Sequence, residues 1–535
     1  MSESREARLW KALFYVVTFA SAIPFFVVRY LPFCDLPEHV AAISVLERSL
    51  VAPHEVTSYV VAFGSSQYFL YHATGALLMF VTRDAVLANQ ILIALVAIAW
   101  PLSFRSLLRA AGRDERLALF APMALWSRAL LVGFLPFVAS LPIAFFAIAL
   151  VLRQLAAFSL RRAILLAVVA TALFYTHVSA YLVFAFIAFA CSIVVHLRAR
   201  VRSFVAIAKV TTPLGPSALC AFAWYLRGSL GQAPAAPADA DVGSMGLVRS
   251  LKALPVWTFD VWHSNVDRAC AVFWWLAVAM LLAFTLRRRS DEPSDALRVR
   301  LLAWVPFAAA LLVFLATPFR IGPAAMLNVR LAPFVVLLFL LPLDGRGLTR
   351  RLARLPFAVA ALVSLVTIAN ASSEIRATSD EVLGDRIDEV LGAMRPGTRV
   401  ATLAADPSSE HTAFWPYAFM GSYHVTRGGS VASFSFAQMA HWPIHYAPGA
   451  EPPPHRAFWL FRPCEYRFED DGAYFDYVLV SGSLPRFVDG VPGPPFVPVA
   501  RSGRFTLYEK VAGPPPPPEP SFVGPCRPPP QLAQR

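Results

Sequence analysis

Charged side chains are scarce in this sequence. They make up 15% of its 535 residues, while 57% are hydrophobic; soluble domains average roughly 25% charged and 45–50% apolar residues. The mean hydropathy is +0.57. Several apolar runs approach the roughly 20 residues that cross a bilayer, and the first, residues 10–28, lacks a small-residue cleavage site leading into a polar mature segment. The composition therefore excludes a water-soluble globule and predicts a polytopic membrane protein.

Metal-binding and nucleotide-binding motifs are also missing. The 6 cysteines form no CxxC pair, so they predict neither a zinc site nor a disulfide framework, although Cys464 and Cys526 could pair in an oxidising compartment. No GxxxxGKS/T, strand-associated GxGxxG, HExxH or GxSxG motif is present. ATP-driven transport, dinucleotide chemistry and conventional metalloprotease chemistry therefore lack their usual groups. A divalent metal cofactor is possible, but no motif requires one.

The positive charge is concentrated in the first part of the chain. Residues 1–370 hold 33 basic and 17 acidic residues, whereas residues 371–535 hold 14 and 17. Of the 33 basic residues, 23 fall in clusters between apolar runs, at residues 5–11, 105–116, 153–162, 198–209, 287–300 and 346–354. Basic residues in such loops set the orientation of a membrane protein and contact anionic lipid. Nucleic acid is therefore excluded as a partner.

Placing every basic cluster on the cytoplasmic side determines how the apolar runs cross the membrane. Each stretch between clusters must then cross an even number of times, so residues 117–152 and 163–197 become helical hairpins. Residues 67–82 become an interfacial helix rather than a span, within an external loop at residues 29–84. The sequence predicts about eleven spans within a transmembrane domain at residues 1–370, with a cytoplasmic N-terminus and a last span at residues 356–370.

Residues 371–512 have the composition of a soluble domain. Apolar residues at helical spacing predict a helix over residues 380–394. Strands are predicted at residues 399–403, 457–461, 477–480 and 505–510. Together they predict a small external, periplasmic α/β domain, followed by a proline-rich disordered tail at residues 513–535.

The densest group of titratable residues directly follows the first span. It is the segment LPFCDLPEH at residues 31–39, which contains Asp35, Glu38 and His39. Pro37 can begin a helix, and this places Asp35 just before the first turn, where a carboxylate caps backbone N–H groups. Local chemistry alone leaves helix capping and a functional carboxylate equally open.

This arrangement resembles the GT-C superfamily of membrane glycosyltransferases, which use lipid-phosphate-linked sugars. Members share a first span, a long external loop with an acidic residue just after the membrane, interfacial helices in that loop, and many further spans. Asp35 matches the acidic position, and residues 67–82 resemble the interfacial segment before the second span. Gly133-Phe134 and Thr176-His177 add to a resemblance to bacterial members of this group.

The resemblance implies transfer of a sugar from a polyprenyl phosphate donor to an acceptor on the external face of a bacterial inner membrane. Asp35 would act as the general base on the acceptor hydroxyl. His39 would orient Asp35, share its proton or join a metal site, while a surface histidine bonded to loop backbone is the alternative. The predicted substrate-binding residues are Glu38, His72, Arg128, His177, Arg320 and Arg330.

Arg320 and Arg330 are the predicted partners of the departing phosphate. They flank a short external loop, and the fixed fork of a guanidinium pairs well with phosphate oxygens. Snorkelling to ordinary lipid phosphates explains the two arginines equally well. Arg128 occupies a similar outer turn, His177 lies in the turn of a hairpin, and His72 lies on the interfacial helix.

Two functions of other classes remain open. A transporter or flippase of a lipid-linked or apolar solute is one, but none of the 17 acidic residues of residues 1–370 lies in the middle of a predicted span, which disfavours ion-coupled transport. The other is a non-catalytic scaffold that presents residues 371–512 to a partner. Asp239 and Asp241 resemble a metal-binding DxD pair, yet they lie in a low-complexity stretch where solvation explains them better.

Overall fold

The structure, a computed structural model, describes the chain in several ranges. These are residues 5–62, 66–198, 204–230, 242–287, 294–321, 324–343, 351–439, 441–453, 463, 466, 471–482 and 496–512. The predicted strand at residues 457–461, Cys464, Cys526, Asp239, Asp241 and the proline-rich tail lie outside them.

The chain divides into two compact units. We call the first the helical unit; it consists of Met1–Phe26, Ser65–Tyr71 and Ile93–Ser372. We call the second the sheet unit; it consists of Val27–Gly64, His72–Leu92 and Ser373–Arg535. The sheet unit therefore contains most of the predicted external loop as well as the C-terminal segment.

Helices account for most of the described chain. In chain order they are α1 (Arg5–Ala20), α2 (Leu36–Val51), α3 (Phe69–Thr82), α4 (Ala85–Ala110), α5 (Ala121–Leu125), α6 (Arg128–Val132), α7 (Leu135–Ala156), α8 (Leu160–Thr176), α9 (Val178–Arg198), α10 (Val205–Leu230), α11 (Leu247–Phe259), α12 (Asn265–Arg287), α13 (Ser294–Ala316), α14 (Ala332–Leu338), α15 (Arg351–Val382) and α16 (Ile387–Ala393).

Six helices within the described ranges are long and apolar enough to cross a membrane. They are α1 with the turn that extends it to Phe26, and α4, α7, α9, α12 and α15. The predicted class, a multi-pass membrane protein, is confirmed, whereas the count of eleven spans is not. Helix α3 has 14 residues and is about 21 Å long, which is shorter than a hydrocarbon core of roughly 30 Å. Its interfacial position stays a prediction.

The predicted hairpin at residues 117–152 contains one long helix instead of two. Its first arm is divided between the short helices α5 and α6, and only α7 has the length of a span. Gly133 ends α6 with a φ of 93°, and its N–H donates to the carbonyls of Ala129 and Leu130. Pro136 then stands in the first turn of α7. A left-handed glycine followed by a proline is a typical stop and restart signal.

The last span continues well beyond its predicted end. Helix α15 has 32 residues, and it ends just before Gly384, whose φ is 65°. The prediction of one helix over residues 380–394 is therefore wrong, because its first residues belong to α15 and the rest of the helix is α16. A Cβ at Gly384 would lie 2.8 Å from the backbone nitrogen of Gly503, so this turn requires glycine.

Within the described ranges, ten strands form three sheets. They are β1 (Tyr59–Val61), β2 (Val242–Gly243), β3 (Arg320–Ile321), β4 (Ala324–Ala325), β5 (Arg399–Ala404), β6 (Val431–Ala432), β7 (Ile444–Tyr446), β8 (Tyr477–Ser481), β9 (Phe496–Ser502) and β10 (Phe505–Lys510). The largest sheet has the order β6-β5-β8-β10-β9. Strand β5 is parallel to β6 and β8, and β10 is antiparallel to β8 and β9.

This mixed sheet confirms the predicted α/β character of the C-terminal segment. The predicted strands at residues 399–403, 477–480 and 505–510 correspond to β5, β8 and β10. Inward residues of these strands, including Leu403, Val478 and Val480, form a buried core with Phe475. β5 and β8 are buried along nearly their whole length, and this apolar contact area stabilises the sheet.

Within the sheet unit, the segment that follows the first span, residues 30–61, makes hydrogen bonds with the C-terminal segment. The hydroxyl of Tyr30 donates to Asp388 at 2.6 Å, and the hydroxyl of Tyr417 donates to the carbonyl of Tyr30 at 2.9 Å. Strand β1 pairs antiparallel with β7, with Tyr59 opposite Tyr446. These contacts hold α2 in a defined position, and every residue of α2 from Leu36 to Glu47 is buried.

Candidate functional site

Asp35 stands at the start of α2, as the sequence predicts. It is the N-cap residue, with Pro37 in the first turn, but its side chain makes no capping hydrogen bond. Instead, Asp35 accepts a hydrogen bond from the thiol of Cys34, and burial together with the Asp35 charge raises the pKa of that thiol well above its ordinary value. The half-buried Asp35 therefore occupies a capping position without capping the helix.

Glu38 is enclosed by the C-terminal segment. Its side chain is 1% exposed. The carboxylate accepts hydrogen bonds from the hydroxyl of Ser422, from the hydroxyl of Ser435 at 2.9 Å and from the backbone N–H of Phe436 at 2.8 Å. Burial raises the pKa of Glu38 from 4.5 to about 7, against the opposing effect of these hydrogen bonds. Glu38 is thus poised to titrate near neutral pH.

His39 and His72 form a buried pair. The Nδ1 atom of His39 lies 2.9 Å from the Nε2 atom of His72, so that one ring donates a hydrogen bond to the other. The two rings stack at 5.1 Å, and Trp442 packs against both of them at 5.1 and 4.8 Å. The interpretation of His39 as a surface histidine is therefore wrong, because its side chain is 2% exposed.

Asp35, Glu38, His39 and His72 all belong to the sheet unit. The structure joins Glu38 and His39 to one C-terminal stretch, because Phe436, which donates to Glu38, also packs edge-on against Trp442 at 4.9 Å. A carboxylate, two imidazoles and an indole thus surround the first turns of α2. No sequence pattern predicts the contacts of Ser422, Ser435 and Trp442 with Glu38 and His39, because roughly 400 residues separate the two segments along the chain.

The helical unit brings two other predicted residues together through Tyr68. The guanidinium of Arg330 donates a hydrogen bond to the Tyr68 hydroxyl and lies 3.8 Å from the centre of the Phe134 ring. The Tyr68 ring meets the ring of His177 edge-on at 4.6 Å. Burial raises the pKa of Tyr68, and Arg330 opposes that rise. Tyr68 was missed by sequence reasoning, although it lies in the segment predicted to be interfacial.

His177 separates α8 from α9 and is buried. It ends α8 with an extended φ of −167°, and its ring packs edge-on against Phe137 at 4.9 Å as well as against Tyr68. The predicted turn at residues 176–180 is therefore present. His177, Tyr68 and Arg330 form a continuous aromatic and cationic group, which we call the Tyr68 cluster.

The two remaining arginines have different surroundings. Arg320 is exposed on β3, where it pairs with Ala325 of β4. Arg330 donates a long hydrogen bond of 3.4 Å to the carbonyl of the same Ala325, so both arginines border one small hairpin. Arg128 is buried at the start of α6, and its Nε donates to the carbonyl of Asp260 at 3.4 Å.

Metal ligands do not converge in the described part of the chain. Within those ranges no group of three or more histidine, cysteine, aspartate or glutamate side chains is placed to hold a metal ion. His411 pairs with Glu374 at 3.0 Å, and His424 contacts the Thr398 hydroxyl at 2.9 Å. Burial lowers the pKa of His424 to about 4, so this imidazole is neutral at physiological pH.

Together the long apolar helices and the mixed sheet define a polytopic helical membrane protein with an attached α/β unit. No family model matches the chain, and no curated protein sequence matches it. The fold is similar to that of ArnT from Cupriavidus metallidurans bound to undecaprenyl phosphate, with a TM-score of 0.57 and 13% identity over 96% of this chain and 100% of that one. The structure of ArnT from the same organism in the apo state matches with a TM-score of 0.54 and 13% identity, and the match covers 95% of this chain and 100% of that one. At 13% identity this similarity shows a shared fold, a helical membrane protein with a C-terminal sheet region, as the sequence predicts.

Proposed function

We propose that this protein is a membrane glycosyltransferase that moves a sugar from a polyprenyl phosphate to an acceptor. The observation that carries the proposal is the fold match over the whole ArnT chain, because that structure holds undecaprenyl phosphate. ArnT is a GT-C glycosyltransferase. The resemblance found in residues 31–39 points to the same class independently of the fold. No comparable observation favours a transporter or a scaffold.

The reaction requires a base and a partner for the leaving group. The acceptor oxygen forms a bond to the anomeric carbon while the bond from that carbon to the phosphate oxygen breaks. The acceptor hydroxyl gives up its proton, and the polyprenyl phosphate leaves with the electron pair. Asp35 is the proposed base, because it is a half-exposed carboxylate at the position typical of the superfamily.

Arg330 is the proposed partner of the phosphate. Its guanidinium is held between the Phe134 ring and the Tyr68 hydroxyl, so little side-chain freedom is lost when it binds an anion. Arg320 borders the same hairpin and supplies a second positive charge. The ring of His177 packs edge-on against Tyr68. Arg128 is a further cation proposed to bind the phosphate.

The orientation and location are part of the proposal. The basic clusters between the apolar runs support a cytoplasmic N-terminus and a location in a bacterial inner membrane. Residues 371–512 then lie in the periplasm, and sugar transfer takes place on that side. The excess of acidic over basic residues in residues 371–535, 17 against 14, agrees with a segment outside the positive-inside rule.

The proposal is tested with purified full-length protein and a panel of undecaprenyl phosphates that carry different hexoses and pentoses. An envelope extract supplies acceptors, and the release of free undecaprenyl phosphate is measured. Asp35→Asn is expected to slow release by about 100-fold or more, as is usual for loss of a general base. Asp385→Asn, which changes an exposed carboxylate of the same unit, is the matched control and is expected to retain the activity. The proposal fails if no donor is turned over, or if Asp35→Asn equals the wild type.

A further inference from the structure

A polar cavity lies in the helical unit, at the N-terminal end of α1. It has a volume of about 500 Å³. Its walls come from the first turns of α1, the last turns of α4 and the 3-10 helix at Glu115–Phe120. The lining cations are Lys11, Arg105, Arg109 and Arg116, and the lining acids are Glu6 and Glu115. We call this cavity the arginine pocket.

The guanidinium groups of the arginine pocket are held in place by their neighbours. Arg105 and Arg109 both donate to the single carboxylate of Glu115, at 2.7 and 2.8 Å. The Arg105 guanidinium lies 4.8 Å from the centre of the Phe14 ring. Two arginines that share one acid keep an excess positive charge between them, and hydrogen bonding from Arg109 lowers the pKa of Glu115.

Arg116 is positioned in the same way. It pairs with Asp114 at 2.6 Å, and its guanidinium lies 4.3 Å from the centre of the Phe357 ring. The acid Glu6 is paired with Arg354 at 2.6 Å. Among the described residues that line the pocket there are four cations and two acids.

The position and lining of the pocket indicate an amphiphilic ligand. Arg105 and Arg109 lie in the last two turns of α4, after the apolar run that ends near residue 103. Lys11 lies in the second turn of α1, directly before the apolar run at residues 12–20. The change from apolar to basic sequence places both helix ends at headgroup level. Ala7, Trp10, Phe14 and Leu119 add an apolar wall beside the cations.

We propose that the arginine pocket binds a phosphate group on the side of the membrane that carries the basic clusters. Guanidinium forks suit phosphate oxygens, and the apolar wall suits the glycerol and first methylenes of a lipid. The phosphate is presented either by an anionic lipid or by a soluble phosphate compound. The residues that line the arginine pocket include neither Asp35 nor any member of the Tyr68 cluster, and the proposal does not depend on sugar transfer.

The test measures the thermal midpoint of the full-length protein in lipid nanodiscs. The fraction of phosphatidylglycerol in phosphatidylcholine is varied in one arm, and inorganic phosphate replaces chloride at constant ionic strength in phosphatidylcholine discs in the other. The double variant Arg105→Gln with Arg109→Gln removes two cations of the pocket. The double variant Arg161→Gln with Arg162→Gln removes the same charge from another basic cluster and is the matched control.

The wild type and the control are expected to be stabilised by phosphatidylglycerol or by inorganic phosphate. The pocket variant should require about tenfold more ligand for the same stabilisation, since each charge-assisted hydrogen bond lost weakens binding. A response to phosphatidylglycerol alone identifies a lipid headgroup, and a response to inorganic phosphate identifies a soluble ligand.

The double variant leaves Glu115 without its two arginine partners and could therefore impair folding. A further variant tests ligand binding without this change. Lys11→Gln removes an exposed cation of the pocket, and it should also weaken the stabilisation by several-fold while retaining the midpoint of the wild type in phosphatidylcholine. The proposal is overturned if neither ligand stabilises the wild type. It is equally overturned if the pocket variants and the control respond to the ligand as the wild type does.

Discussion

The buried carboxyl of Glu38 makes the stability of the sheet unit depend on pH. Burial raises its pKa from 4.5 to about 7, so the folded protein holds this proton more tightly than the unfolded chain does. The stability that comes from this proton is therefore complete below about pH 4.5 and is lost as the pH rises to about 7. A shift of this size corresponds to about 3 kcal/mol at 25 °C.

The variant Glu38→Gln isolates this effect. Its amide is neutral at every pH, and its oxygen can still accept from Ser435 and Phe436 while the Ser422 hydroxyl rotates to accept from the amide N–H. We expect the free energy of unfolding of Glu38→Gln relative to the wild type to increase by about 3 kcal/mol between pH 4.5 and pH 8. Glu38→Ala, in contrast, leaves three donors without their acceptor and should cost about 3 kcal/mol or more at low pH.

The assay is unfolding in detergent micelles, followed by tryptophan fluorescence over a series of pH values. Glu389→Gln, which changes an exposed carboxylate of α16, is the matched control and should follow the wild type in parallel. If the profiles of Glu38→Gln and the wild type are also parallel, the carboxyl does not titrate in this range and the reasoning from its burial is wrong.

Two further changes test the Tyr68 cluster and the end of α15. Arg330→Lys keeps the positive charge but loses the planar guanidinium, so the KM for the polyprenyl phosphate donor should rise about tenfold. The control Arg249→Lys, on the exposed side of α11, should leave this KM unchanged. Equal KM values for the two variants would show that Arg330 does not bind the donor. Gly384→Ala should lower the free energy of unfolding by about 2 kcal/mol, because φ is 65° and the added Cβ meets Gly503. Gly392→Ala, with no neighbouring atom within 4 Å, should be neutral or slightly stabilising by thermal midpoint, and a similar loss in both variants would contradict this account of Gly384.

Local features of this fold could be predicted because their causes lie within a few residues of one another. Short runs rich in strand-forming residues predicted β5, β8 and β10, and Pro37 predicted that Asp35 stands at the start of α2. The apolar run at residues 67–82 contains α3, and the length of the apolar run between two basic clusters predicted the hairpin turn at His177. These signals are read from the local sequence and do not require knowledge of tertiary contacts.

Other features could not be predicted because distant contacts decide them. The apolar pattern over residues 380–394 is helical throughout, whereas the turn at Gly384 packs against Gly503, more than 100 residues away along the chain. The count of eleven spans, which is not confirmed, depends on contacts in a related way. The rule of an even number of crossings between basic clusters assigns each apolar run either to a membrane crossing or to the membrane surface. Helices α5, α6 and α14 are short and buried, and the rule has no category for such helices.

The three titratable residues of the segment DLPEH, at residues 35–39, have different surroundings in the structure. Glu38 and His39 are 1% and 2% exposed and are bonded to protein groups, the first to Ser435 and the second to His72. A general base must reach its substrate, and a fully enclosed group cannot do so without local opening. Asp35 alone among the three is partly exposed. We therefore infer that Asp35 carries the chemistry, while Glu38 and His39 are positioning residues that hold the first turn of α2 on the C-terminal segment.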